Sequence, residues 1–204
     1  MRKVIIITDD TKYSQLSRYD GYPLLVLSKN FSDIKSSDIF YDYFKTSYIP
    51  SVDPSPLEEK KEEEHDVEYA IKYLYKKGFD EITILSNIKT SSDNYLCNLL
   101  LMKKYKHLKI VFETEEESIQ YFEEGTHIIT KGNSNFISIC PFLEAMISLD
   151  YTVEKMTHIK LDSSTGLLKN IKLFQRIALL KVEKGSVLVI RKLGDKDENW
   201  VYDT

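Results

Sequence analysis

The chain has 204 residues, is 42% hydrophobic and 12% aromatic, and carries a formal net charge of −4 with a sequence pI near 5.7. This is enough apolar material for one domain or two small ones. The acidic balance argues against a nucleic-acid platform, whose affinity rests on excess Lys and Arg. No stretch approaches the ~20 apolar residues of a membrane span, and the start, MRKVIIITDD, lacks a long apolar signal region. Cys97 and Cys140 form neither a CxxC pair nor a zinc spacing. They read as two buried thiols in a reducing compartment, and the expectation is a cytoplasmic protein.

Residues 3–8 (KVIIIT) and 23–28 (PLLVLS) open the chain as two short, continuous apolar runs. Such runs predict buried strands. The passage YIPSVDPSPLEEKK that follows is rich in Pro and Ser and reads as a loop. Residues 66–77 then place Val67, Ala70, Ile71, Leu74 and Tyr75 at helical spacing, and Gly78 ends the stripe. Residues 81–86 (EITILS) predict a third strand, 92–105 a second helix with Leu96, Leu99, Leu100 and Met102, and 108–112 (LKIVF) a fourth strand. Residues 115–124 begin with acids and end at Gly125, so dipole and C-cap preferences predict another helix. Alternation of this kind predicts a parallel sheet covered by helices.

After about residue 127 the pattern changes. HIITK, NFISICPF, AMISLDY, EKMTHIKL, GLLKNIKL, RIALLKV and SVLVIRKL are short β-type segments with turn residues between them. Their spacing suits an antiparallel sandwich or barrel. The expected fold is therefore α/β: a parallel-sheet N-terminal domain over 1–126, followed by a small all-β sandwich domain over 127–204.

Three loops at strand ends offer chemistry. The stretch EEKKEEEHDVEYAIKYL (58–74) is either a solvated helix entrance or a cation site. Glu62, Glu63, Glu64 and Asp66 suit the positive end of a helix dipole, and Glu68 stands at a capping-box position, although His65 is a poor N-cap. Crevices outside the carboxyl ends of parallel strands are where ligands bind in open α/β sheets. In SNIKTSSDNYLCNLLL (86–101), Ser91, Ser92 and Asp93 suit an ordinary N-cap or a phosphate site at a helix N-terminus. No glycine-rich phosphate loop accompanies them. In LSKNFSDIKSSD (27–38), Asp33 and Asp38 suit either ligands or turn residues. His107, His127 and His158 have no paired metal spacing, no GxSxG elbow occurs, and Trp200 reads as a packing residue.

The order and placement of these loops resemble thiamine pyrophosphokinase. KNFSD (29–33) stands where that family has GDFDS, keeping Phe31 but replacing two acids with Asn30 and Ser32. EEEHDVEYA (62–70) resembles KDxTDxExA: Asp66, Glu68 and Ala70 match, Glu63 replaces an Asp and His65 a Thr. KTSSDNYLCN (89–98) resembles GGRxDHxLxN: Asp93, Leu96 and Asn98 match, while both glycines, the Arg and the His are absent. FISICPF (136–142) is similar to the family's ISLIPL strand, and STGLLKNIKL with VEKGSVLVI to its C-terminal β domain. The family's Ser-Asn-Glu segment is missing or replaced near LFQRIA (173–178).

The resemblance implies transfer of pyrophosphate from ATP to thiamine, with Mg²⁺ as cofactor, by a homodimer whose β domain covers thiamine. It implies Asp66 and Asp93 as catalytic residues, and Glu63, Asp66 and Asp33 as metal ligands. It implies Glu68, Asn98, Asn30, Ser32, Ser91 and Ser138 around the substrate and nucleotide. The eroded motifs leave an alternative: a catalytically impaired thiamine- or nucleotide-binding protein on the same scaffold.

Overall fold

The computed structural model describes residues 2–8, 17–19, 21–26, 66–86, 91–130 and 135–193. The chain divides into two compact units, Met1–Glu115 and Glu116–Thr204. The fold is mixed α/β with strand dominant.

The first unit contains β1 (Lys3–Ile7), a 3₁₀ turn (Ser17–Tyr19), β2 (Leu24–Val26), α1 (Asp66–Lys76), β3 (Glu81–Leu85), α2 (Ser92–Lys104) and β4 (Lys109–Glu113). These are the strands and the first two helices expected from the sequence. The strands lie in the order β2-β1-β3-β4, every neighbouring pair parallel. β1 is bonded on both edges: Ile5 stands opposite Leu24 on one side and Thr83 on the other. Ile5, Ile6, Ile7, Ile82, Ile84, Leu85 and Phe112 are fully buried. That is why the strands read as unbroken apolar runs: a parallel sheet is covered on both faces. Each such isoleucine contributes roughly 1.5–3 kcal/mol by leaving water.

α1 buries Val67, Ala70, Ile71 and Leu74 of the stripe read from the sequence, while its last member, Tyr75, is exposed and packs edge-on against His107. Gly78 then takes φ +82, and Phe79 N donates to the Leu74 carbonyl at 3.1 Å. α2 turns Asn98, Leu101 and Met102 inward. It docks on β4 through an edge-to-face contact between Tyr95 and Phe112, centroids 5.2 Å apart. No helix among the described residues is long and apolar enough to cross a membrane.

The second unit is all strand: β5 (Glu117–Thr130), β6 (Phe136–Asp150), β7 (Met156–Leu161), β8 (Leu168–Lys172) and β9 (Ile177–Lys192). The order is β5-β9-β6-β7, antiparallel throughout. β8 pairs with the first half of β6 and β7 with its second half. Residues from both halves of β6 (Ile137, Ile139, Ala145, Ile147, Leu149) and of β9 (Ala178, Leu180, Val182, Val187, Val189) enter one buried cluster. The described strands of this unit form one continuous hydrogen-bonded sheet, and both halves of its long strands share one core.

Three expectations change here. Residues 115–124 are not a helix, because 117–130 form β5, paired along its length with β9. Ile119, Tyr121 and Phe122 suit a strand, and cross-strand partners outweigh the dipole and cap signals. Gly125 is no C-cap: β5 shifts register between Glu123 and Gly125. With β5 placed in the second unit, the division falls at 115/116 and not at 126/127. The seven short segments run into five strands. Pro141 lies inside β6 opposite Val187, and Gly185 inside β9 opposite Ala145. Both are signs of a turn in sequence but mark bulged, bent strands in the fold.

Two serines on β6 organise neighbouring bulges. Ser138 Oγ accepts a hydrogen bond from Asn170 N at 3.2 Å, and Ser148 Oγ one from His158 N at 2.9 Å. Asn170 and His158 have φ of +55° and +54°. Ser148 also donates to Glu183 Oε1 at 2.8 Å, while His158 Nδ1 lies 2.7 Å from Glu183 Oε2. These bonds, from His158 first and then Ser148, hold the Glu183 carboxyl below the usual carboxylate range. Cys97 and Cys140 are free thiols, each half-buried, and burial pushes the Cys140 thiol up.

Gly185 has φ +80, and a Cβ there would lie 2.1 Å from the Glu144 carbonyl oxygen. Gly185→Ala is expected to destabilise the protein by about 2–4 kcal/mol, because backbone on the facing strand must move. Urea unfolding followed by circular dichroism measures it; an unchanged midpoint contradicts this account.

Candidate functional site

The strand order reverses at β1, since β2 lies on one side and β3 and β4 on the other. The crevice of such a sheet opens outside the carboxyl ends of the strands flanking the reversal. Here those ends are stitched together: Thr8 N and Oγ1 both donate to the Leu85 carbonyl, at 3.2 and 2.9 Å. Next to them Ser86 N donates to Glu113 O at 2.9 Å.

A helix linking two parallel strands runs back against them, so it begins at their carboxyl edge. α1 and α2 therefore both start at this edge, and the sequence-predicted residues at their starts share it. Asp66 is the first residue of α1. Ser91 is the N-cap of α2, with φ −56 and ψ 143. Its carbonyl accepts from Tyr95 N at 3.0 Å, and its side chain makes no capping bond. Ser91, Ser92, Asp93 and Asn94 are exposed there. Asn98, on the same helix, is only 2% exposed, and its Oδ1 has no hydrogen-bond partner. A buried acceptor left unpaired costs about 1–3 kcal/mol.

Glu68 is differently engaged. Its Oε1 accepts from Lys104 Nζ at 2.7 Å and from Tyr105 OH at 2.8 Å, and Lys72 Nζ lies at 3.4 Å. The carboxylate thus joins the first turn of α1 to the end of α2. Burial pushes its pKa up, but the bonds from Lys104 and Tyr105 outweigh burial and hold it below the usual range. Ser138 lies in the second unit, where its hydroxyl completes the bulge at Asn170. Asn30, Ser32, Asp33 and Glu63 lie outside the described residues, as do Asp38, Glu62, Glu64, His65 and Trp200. Among the described residues, no group of three or more His, Cys, Asp or Glu side chains gathers to hold a metal.

Two participants at this edge escaped the sequence reading. Tyr19 OH donates to the Glu113 carboxylate at the end of β4. Arg18 Nη2 donates to the Glu115 carbonyl at 3.2 Å. Each pair is more than ninety positions apart in sequence, and only folding brings them together. The one available signal was the scarcity of arginine: Arg18 is one of four.

A sheet ordered β2-β1-β3-β4, two crossover helices and an all-strand second unit together match known structures over nearly the whole chain. The chain has the fold of the thiamine pyrophosphokinases. The structure of thiamine pyrophosphokinase from Bacillus subtilis superposes with a TM-score of 0.72 at 16% identity, covering 95% of this chain and 100% of that one. The enzyme from Geobacillus thermodenitrificans gives 0.70 at 16% identity, over 95% and 99%. Thiamin pyrophosphokinase from Candida albicans gives 0.63 at 12% identity, over 95% and 89%. No protein-family model matches the sequence. No curated protein matches it either. At these identities the likeness to thiamine pyrophosphokinase is one of fold.

The tie at Glu68 is testable apart from any activity. Its carboxyl titrates below its ordinary value of 4.5, so its stabilising contribution is present above that value and lost as pH falls through the folded one. Glu68→Gln is expected to cost about 1 kcal/mol near neutral pH and to flatten the acid limb of the stability curve. Thermal unfolding between pH 3 and 7 would show the two curves converging at the acid end; a constant offset would refute the assignment.

Proposed function

We propose that the protein is a Mg²⁺-dependent thiamine pyrophosphokinase that transfers a pyrophosphoryl group from ATP to thiamine, giving thiamine diphosphate and AMP. The observation that carries this reading is the thiamine pyrophosphokinase fold along 95% of the chain. It is supported by Asp66, Asp93 and Asn98, which hold their motif places on helices that begin at the sheet's carboxyl edge. The unpaired Asn98 Oδ1 is a ready acceptor for a donor on a bound group or a neighbouring side chain.

Transfer of this kind needs positioning and charge neutralisation more than covalent help from protein. The thiamine hydroxyl oxygen attacks the β-phosphorus of ATP in line. A new P–O bond forms, the bond from the β-phosphorus to the bridging oxygen breaks, and AMP leaves with that oxygen. The hydroxyl proton passes to a carboxylate, the role assigned to Asp66 or Asp93. Asn98 orients the acceptor, and Ser91 with the first turn of α2 offers hydrogen-bond donors to phosphate oxygens. The donor set Glu63, Asp66 and Asp33 is all carboxylate, the hard-oxygen chemistry that suits Mg²⁺. When bound, the ion would supply neutralisation of the triphosphate charge. The proposed assembly is a cytoplasmic homodimer in which the second unit covers thiamine.

A second reading, a thiamine- or nucleotide-binding protein without turnover, is favoured by one observation. Glu68 is already committed to Lys104, Tyr105 and Lys72. Asn30 and Ser32 also stand where the motif has acids.

Incubation with ATP, thiamine and Mg²⁺ is expected to yield AMP and thiamine diphosphate in equal amounts. Asp93→Asn is expected to lower kcat at least ~100-fold with the fold intact. Thiamine binding by calorimetry with no AMP formed would select the second reading.

A further inference from the structure

Arg18 is in an unusual position for a cation. Its neighbour Tyr19 is 7% exposed and belongs to a buried cluster with Ile5, Ile7, Leu24 and Leu85. That anchors the 3₁₀ turn against the carboxyl halves of β1 and β3. The turn delivers the Arg18 guanidinium to the carboxyl end of β4, where Nη2 donates to the Glu115 carbonyl at 3.2 Å. Nη1 is buried and has no hydrogen-bond partner. Among the described residues no carboxylate pairs with Arg18; the nearby Glu113 carboxylate accepts instead from Tyr19 OH.

A partly buried guanidinium held by one neutral carbonyl is costly, since desolvation of the charge is not offset by an opposite one. The same feature is what a site for a phosphate chain needs. Arg keeps its charge at any physiological pH and offers a planar fork of N–H donors matched to phosphate oxygens. The α2 entrance does not supply this chemistry: its described residues, Ser91, Ser92, Asp93 and Asn94, include no cation. We propose that Arg18 is the guanidinium clamp for the phosphate chain of the nucleotide, reaching the carboxyl edge of the sheet from the 3₁₀ turn. This rests on the ATP-dependent reading above and adds to it a residue outside all three strand-end motifs. Ligand binding moves Nη1 from an unpaired environment to one with phosphate oxygen, so the cost carried without ligand is recovered on binding.

The test uses the full chain with Arg18→Met, which keeps the length and apolar stem, and Arg18→Lys, which keeps only the charge. Calorimetry with ATP and, separately, inorganic pyrophosphate is run beside thermal unfolding without ligand. Arg18→Met is expected to weaken both ligands by about 10- to 100-fold, with Arg18→Lys between it and wild type. Without ligand the Arg18→Met melting temperature is expected to be unchanged or higher, which a merely structural arginine would not give. Wild-type affinity for ATP retained in Arg18→Met overturns the inference and leaves the proposed function standing. A lower melting temperature with unchanged affinity in the folded fraction also overturns it. Wild-type binding of pyrophosphate but not ATP, lost in Arg18→Met, sustains the clamp and removes the ATP reading. Binding of neither ligand by wild type removes both.

Discussion

The structure depends first on β1 being hydrogen-bonded along both edges. All five of its residues pair with β3 on one side, and Ile5, Ile6 and Ile7 pair with β2 on the other, both in parallel. Parallel neighbours require crossovers, and crossovers to opposite sides of one strand create a reversal in the sheet. Thr8 fastens the two carboxyl ends through the Leu85 carbonyl. The starts of α1 and α2 gather at that edge as a consequence. The chemistry proposed for the protein follows from this placement more than from any single side chain.

The helices are then fixed by different forces. α1 is held by an apolar stripe and by Glu68, whose carboxylate ties it to the end of α2. α2 is less plainly amphipathic: it leaves Leu96 and Leu100 exposed while burying Asn98. A helix that turns an amide inward and leucines outward is not arranged for burial alone. The unpaired Asn98 oxygen and the unpaired Arg18 nitrogen are the same kind of departure, each a polar atom kept from water without a partner. Departures of this kind concentrate where a protein does something other than stay folded.

In the second unit the governing constraint is the length of β6 and β9. Two strands of about fifteen residues cannot stay flat against one core. They bend at shifts of register near Pro141 and Gly185, and both halves then share a single buried cluster. The Ser138 and Ser148 hydroxyls satisfy the backbone N–H groups that neighbouring bulges leave unpaired.

The sequence by itself determined the four parallel strands and α1, because a buried strand needs an unbroken apolar run and a half-buried helix a 3.6-residue stripe. It located α2 as well, but not the face that α2 buries, since Leu96 and Leu100 are exposed and Asn98 is turned inward. It also determined which acids and amides occupy the entrances of α1 and α2, since motif order along the chain is a local property. Tertiary structure decided what local signals had misread. Residues 117–130 became a strand because β9 offered thirteen residues of partner, and Pro141 and Gly185 became bends because the core lay on both sides of them. It also decided the occupation of Glu68 by Lys104 and Tyr105, and the arrival of Arg18 beside Glu115. Those pairings join residues far apart in sequence, and no periodicity or spacing encodes a contact that exists only once the sheet has formed.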